Sequence, residues 1–304
     1  MKKIGITGAS GFIGSNIVSY YLDKQWEVTV LTRDKSKFKS HPNLKVIISD
    51  LICIEEITIQ KFLDQLDVLF YLASEINNQK NIDLVNVKAF EKILKNLNSF
   101  THLIYLSSIG IFDFKKNQEI FENSDRRPKN LYEKSKLNAE KIVEKYQVEK
   151  NIKATVLRPS TVIGSKMKSN ILDVLIKLSN SLFTIKIKEN VIGNFVLIED
   201  VIQALILIES NSHSIGKKYN LSRDISLKVF ISYLNNSNKI QFKVPNFVFE
   251  NILKLLVLFN VHKNSYRFFT NTSSINTSKI KTELGFEYLN DYKFFIKDYT
   301  QKRL

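Results

Sequence analysis

Seven residues near the start constrain this chain more than any other stretch: Gly8-Ala9-Ser10-Gly11-Phe12-Ile13-Gly14. The apolar run Ile4-Gly5-Ile6 before them has the character of a strand, and residues 12–22 carry helical periodicity. A strand that turns sharply into a helix offers backbone N–H groups and the positive end of the helix dipole at the turn. Gly8 suits the tight turn, Gly11 lets backbone approach a pyrophosphate, and Gly14 allows close helix packing. The spacing is Gly-x-x-Gly-x-x-Gly, not Gly-x-Gly-x-x-Gly, so its force comes from the strand–turn–helix setting. Ser10, Phe12 and Ile13 complete the loop and count with the glycines as candidate cofactor-binding residues.

The rhythm continues downstream. Strand-like runs fall at residues 28–31, 46–48, 68–72, 103–106 and 154–157, the last ended by Pro159. Helical patterns cover 83–98 and 131–150. Strands alternating with helices predict an α/β fold built on a parallel sheet covered on both faces. After Gly164 strands become brief and helices dominate. The expected organisation is a dinucleotide-binding domain over residues 1–164, with 195–215 returning to it. A smaller, mostly helical substrate lobe is expected over 165–194 and 216–304, above the sheet's carboxyl edge.

Chemistry is concentrated in Tyr132-Glu133-Lys134-Ser135-Lys136. Tyr132 and Lys136 are four apart on one helix and share a face. A free phenol titrates near 10, and a neighbouring ammonium is expected to lower that value. Tyr132 could then exchange a proton with a substrate hydroxyl or carbonyl, with Ser108 holding the same oxygen. The second strand ends Leu31-Thr32-Arg33-Asp34. An acidic residue at that strand end binds the ribose 2′-hydroxyl of NAD, whereas Arg33, with Lys37 nearby, suits a 2′-phosphate. Asp34 is one place late for the ribose. NADP is therefore the expected cofactor, with NAD as the alternative.

Taken together, residues 7–14, Ser107-Ser108, the Tyr132/Lys136 pair, Arg158-Pro159, Glu199-Asp200-Val201 and Leu284-Gly285-Phe286 resemble the extended short-chain dehydrogenase/reductase superfamily, in its nucleotide-sugar epimerase, dehydratase and reductase branch. The resemblance covers nearly the whole chain. It implies a Rossmann-type doubly wound sheet. It places Asp50-Leu51 beside the adenine, sets Leu72-Ala73-Ser74 and Pro159 along the cofactor, and gives Lys136 the nicotinamide ribose. It also implies a homodimer through the helices at 83–98 and 131–150, with Leu137, Ile142 and Val143 available for packing. Arg267 falls roughly where relatives hold a substrate pyrophosphate, and Lys166 and Lys168 could add charge from a loop. The departures matter too. Tyr71 stands for the family's His, and Phe112 for its Tyr. Ser108-Ile109-Gly110 offers no acid pair where the 4,6-dehydratase branch has Asp-Glu, and the cysteine and histidine of the 3,5-epimerising branch have no counterpart.

Composition removes other classes. Cys53 is the single cysteine, so no intrachain disulfide or cysteine metal cluster can form, and it is expected to be structural. Histidines occur at 41, 102, 213 and 262 without metal-ligand or triad spacing, so no metal is expected. The net charge of +15 comes from lysines spread along the chain, with no nucleic-acid-binding signature. The apolar stretch 244–261 is shorter than a membrane span and is interrupted by Glu250 and Lys254, which leaves a buried helix, a partner face or peripheral membrane contact. The start resembles no signal peptide, so a cytoplasmic location is expected. The leading expectation is an NADP-dependent 4-keto reductase of a nucleotide sugar. The alternatives are an NAD-dependent C4 epimerase, a reductase of another small carbonyl, and a non-catalytic dinucleotide sensor.

Overall fold

The computed structural model describes residues 1–164, 175, 183–185, 189–234, 242–244 and 270–301. Seven strands form one parallel sheet in the order β11-β7-β5-β4-β1-β2-β3. These are β1 (Lys3–Thr7), β2 (Glu27–Thr32), β3 (Leu44–Ile48), β4 (Val68–Tyr71), β5 (His102–Leu106), β7 (Lys153–Pro159) and β11 (Lys218–Leu221). The short β6 (Glu119–Ile120) lies outside this sheet and pairs with β14 (Ser274–Ile275). Central strands are apolar on both faces, and every residue of β4 and β5 is buried, as helices on both sides require.

One face packs on α1 (Gly14–Asp23) and on helices Ile198–Ser210 and Ser278–Leu284, through Ile17, Tyr21, Val201, Leu205, Ile208 and Ile280. The other packs on α2 (Glu56–Leu63), α4 (Ala89–Asn96) and α5 (Leu131–Lys150), through Phe62, Phe90, Ile93, Ala139 and Val143. The expected helix at 83–98 is interrupted: α3 (Gln79–Asp83) runs into a π-turn, Leu84–Lys88, before α4 begins. That wide turn carries Asn86, whose buried amide bonds Glu75 and Ser135; such π-turns recur at functional sites.

α5 has strong ends. Asn130 accepts from Glu133 N at 2.8 Å, Glu133 accepts from Lys129 N at 2.6 Å, and Asn151 closes the helix in the left-handed region. Of Leu137, Ile142 and Val143, Val143 is committed to the core, while Leu137 and Ile142 are half-buried. Val143 is buried under the sheet, Ile142 packs beside it, and Leu137 packs against Ile109, Ile111 and Phe112. Outward, α5 presents Lys134, Asn138, Lys141 and Lys145.

The smaller lobe contains a three-stranded sheet of β8 (Thr161–Ile163), β10 (Ile192–Leu197) and β12 (Arg223–Ser226), and a two-stranded pair of β9 (Phe183–Ile185) with β13 (Phe242–Val244). Its core holds Phe195, Phe230, Tyr292 and Ile296. The chain crosses between lobes differently from the expected boundaries. β10 belongs to the lobe's sheet, helix Ile198–Ser210 returns to the main one, and β11, expected in the lobe, is the main sheet's edge strand. The apolar stretch at 244–261 lies outside the described residues, apart from the Val244 backbone. No described helix is long and apolar enough to cross a membrane.

Candidate functional site

The sheet order reverses direction beside β1, and the strand ends there open the crevice where doubly wound sheets bind ligands. Register brings Thr7 level with Leu31 and Tyr71. The loops after these three residues therefore meet at one edge: the glycine loop, Thr32-Arg33 and Leu72-Ala73-Ser74. Thr7 ties two of them, accepting from Leu72 N and Ala73 N at 3.3 Å each.

The glycine loop is built for close approach. Gly8 has φ +68°, and a Cβ there would lie 2.7 Å from Ala73 N. A Cβ on Gly14 would lie 2.2 Å from the Gly8 oxygen, so the first turn of α1 sits hard against the loop. The Ile13 side chain at the head of α1 makes no cap hydrogen bond, and Ser10 and Gly11 are exposed. This cradle of backbone at a helix N-terminus fits a dinucleotide pyrophosphate. Phe12 turns toward Gly164, where a Cβ would come within 2.5 Å of its ring.

Arg33 and Lys37 are exposed beyond β2. Asp34 is engaged elsewhere. Its Oδ1 accepts from Ser36 N at 2.9 Å and from Ser36 Oγ at 2.6 Å, bonds that hold its carboxyl below the usual range. Asp50 caps the turn Leu51–Cys53 by accepting from Ile52 N at 2.9 Å, which sets Leu51 beside the β3 exit. Glu75, just past Ser74, gathers the backbone N–H groups of residues 76–78 on one carboxylate oxygen. Those bonds, with Arg33 nearby, hold its carboxyl low.

The expected acid–base residues gather where β5 ends. Ser108 accepts from Gly110 N at 3.0 Å, and its side chain lies close enough to Tyr132 to act on the phenol. The Lys136 ammonium is buried, donates to the Leu106 carbonyl at 2.8 Å, and lies 5.8 Å from the Tyr132 ring centre and 5.1 Å from that of Tyr105. The expected lowering of the phenol is not what this arrangement produces. Burial pushes Tyr132 up to about 12, with the Glu133 charge adding to it and the Ser108 side chain opposing it. Burial also pulls Lys136 down to about 7, while Glu140 resists that fall. Desolvation wins because Lys136 is fully buried, Tyr132 is half-buried, and the ammonium is directed at a carbonyl.

Other expectations resolve as follows. Tyr71, in the family's His position, is buried between Phe90 and Tyr105, with its hydroxyl on the Val85 carbonyl. Phe112 is buried under the Arg158 guanidinium at 5.0 Å. Pro159 is buried at the end of β7. Cys53, expected to be structural, is exposed. His102 is buried against Thr155 at 2.8 Å, and His213 is exposed. Lys166, Lys168 and Arg267 lie outside the described residues. Among the described residues no group of His, Cys, Asp and Glu could hold a metal.

Sequence reasoning missed Glu140. It continues the four-residue spacing of Tyr132 and Lys136 and ends buried against Arg158, with Oε2 2.6 Å from Nη2 and Oε1 2.9 Å from Nε. The spacing was visible in the chain, but a glutamate on a long helix reads as solvent-facing until its partner is known.

The chain is similar to known proteins over most of its length. The NAD dependent epimerase/dehydratase family matches residues 4–222. A dTDP-D-glucose 4,6-dehydratase of Mus musculus is 23% identical over 254 residues, 75% of this chain and 70% of that protein. A GDP-6-deoxy-D-talose 4-dehydrogenase of Aggregatibacter actinomycetemcomitans is 28% identical over 205 residues, 66% of this chain and 65% of the relative. Among solved structures, a UDP-glucuronic acid 4-epimerase from Bacillus cereus, in complex with UDP-glucuronic acid and NAD, superposes with a TM-score of 0.77 at 18% identity, covering 100% of both chains. That last likeness concerns the fold. With the match spanning most of the chain, this protein belongs to the NAD-dependent epimerase/dehydratase family of enzymes.

Proposed function

We propose that this protein uses NADPH to reduce a keto group on a nucleotide sugar, at C4. The observation that carries the reading is the placement of Tyr132: a phenol pushed up to about 12, beside Ser108 at the end of β5 and one helical turn from the buried Lys136. At neutral pH it holds its proton, which suits a general acid waiting for a carbonyl oxygen. The cofactor supplies the hydride. Ser108 and Tyr132 orient the carbonyl oxygen, and Tyr132 Oη gives it a proton as the carbon is reduced, so ketone becomes alcohol. Lys136 is placed to restore that proton and to hold the nicotinamide ribose. Ile109 and Gly110 bring no carboxylate, which favours simple carbonyl–alcohol chemistry over dehydration.

For the cofactor, the glycine loop, Leu72-Ala73-Ser74, Asp50, Leu51 and Pro159 would line its length. Exposed Arg33 and Lys37, with Asp34 committed to its own turn, support a 2′-phosphate and hence NADP. Arg267 and Lys168 are proposed for the substrate diphosphate. The relative that acts as a GDP-6-deoxy-D-talose 4-dehydrogenase supports carbonyl chemistry at C4. A second reading, a C4 epimerase on tightly held NAD, draws support from the NAD-bound 4-epimerase fold.

The test is to identify the nucleotide retained on purification, then to follow NADPH and NADH oxidation with dTDP- and GDP-linked 4-keto-6-deoxy sugars. Net NADPH consumption with an alcohol product is the expected result. Retained NAD that never exchanges, with interconversion of C4 epimers and no net oxidation, would replace this reading with the second.

A further inference from the structure

Between α5 and the sheet, contacts form a ladder. Tyr132 meets Ser108, Lys136 donates to the Leu106 carbonyl at 2.8 Å, and Glu140 accepts from Ser107 Oγ at 2.6 Å. Four helix residues advance about 6 Å and two strand residues about 6.6 Å, so helix and strand stay in step over the first two rungs. The third rung is the most heavily built. The Arg158 guanidinium grips both oxygens of Glu140, and neither side chain is exposed. Arg158 Nη1 also donates to the Glu122 carbonyl at 2.9 Å, and Glu122 Oε1 accepts from Asn220 N at 3.0 Å. The cluster thus joins β5, β7, β11, α5 and the segment around Glu122 in one buried network.

We propose that Glu140, aimed by Arg158 and Ser107, is a positioning residue for Lys136: it fixes α5 against the end of β5 and sets a buried negative charge one helical turn beyond the ammonium. This rests on the reading of Tyr132 and Lys136 as the acid–base pair. A bidentate guanidinium–carboxylate contact is the most directional ion pair available, and a fully buried one is costly to build for stability alone. Its placement, one turn from a lysine that burial drives toward neutrality, gives it a use. The surroundings of Lys136 supply little else to hold its charge: the rings of Tyr105 and Tyr132, the Leu106 carbonyl, and Tyr71 behind Tyr105. Glu140 is the acidic group that acts on it, Arg158 is spent on Glu140, and the Glu133 charge acts on Tyr132.

The experiment reads Lys136 directly by lysine side-chain 13C NMR across a pH series on the full chain, its signal assigned by loss in Lys136→Met. Wild type is expected to titrate near neutrality. In Glu140→Gln the midpoint should fall by about one pH unit or more, a tenfold or greater weakening of proton affinity, the usual scale for losing a nearby opposite charge. Because Glu140→Gln strands Arg158, the apolar pair Glu140→Met with Arg158→Met is measured alongside, since such replacements commonly keep a fold. Its midpoint should also fall. A midpoint within a few tenths of wild type in either folded variant would overturn the proposal and leave Glu140 as mere glue. If instead Lys136→Met keeps full NADPH binding and turnover, the acid–base reading fails, whatever Glu140 does.

Discussion

Replacing Lys136 with methionine should make the protein more stable while removing its chemistry. The ammonium sits in a buried site that pulls it from an ordinary 10.5 down to about 7. At 1.36 kcal/mol for each tenfold change, that difference is a folding cost of roughly 5 kcal/mol for the charged form. The folded lysine releases its proton near 7, and the unfolded one near 10.5. Between those values the unfolded chain binds one more proton, so wild-type stability rises with pH across that window. Below about 7 both forms are charged and the full cost is present. Methionine matches the stem and carries no charge, but it leaves the Leu106 carbonyl without its donor, a loss of about 1–2 kcal/mol. The net expectation is a gain of about 3 kcal/mol at pH near 6.5, shrinking toward zero and then reversing as pH approaches about 10. Urea unfolding of both proteins without added cofactor, at about pH 6.5, 8 and 9.5, measures it. Equal stabilities at the lowest pH, or a difference that does not change with pH, would refute the reasoning.

Four further outcomes are expected. Tyr132→Phe should keep NADPH binding and lose at least about a hundredfold in turnover, checked by steady-state kinetics with a 4-keto sugar nucleotide. Arg33→Ala should weaken NADPH far more than NADH in fluorescence titrations, because one of the two has a 2′-phosphate to lose; a wild type that prefers NADH would overturn the cofactor assignment. Gly14→Ala places a methyl 2.2 Å from the Gly8 oxygen, so α1 must move away. About 1–3 kcal/mol of stability and at least tenfold in NADPH affinity should go with it, read by thermal unfolding and titration. A homodimer through α4 and α5 would bring the outward Lys88, Lys92, Lys95, Lys134, Lys141 and Lys145 of two copies together. Its association should therefore tighten as salt screens the repulsion, and light scattering that shows a monomer at every ionic strength would reject it.

Some of this molecule is written in short stretches of chain. The glycine spacing after a strand fixes a tight turn and a helix start, because Gly8 takes a positive φ and a Cβ at Gly14 would strike the loop's own backbone at Gly8 and Ala9. Apolar runs of strand length and helical stripes announce a parallel sheet. The four-residue spacing of Tyr132 and Lys136 puts them on one face whatever packs there. Each depends on neighbours a few residues away, so the sequence alone was enough. Tertiary structure decided the rest. Whether Lys136 lowers Tyr132 turns on how deeply both are enclosed and on the Leu106 carbonyl, 30 residues earlier, and burial won. Glu140 looks like a solvated helix residue until β7 delivers Arg158 against it. Asp34 could have faced a ribose, but it bonds Ser36 instead. β11 reads as part of the second lobe until it pairs with β7. Charge states and strand partners are set by desolvation and by contacts across long stretches of chain, and local pattern carries no information about either until the chain has folded.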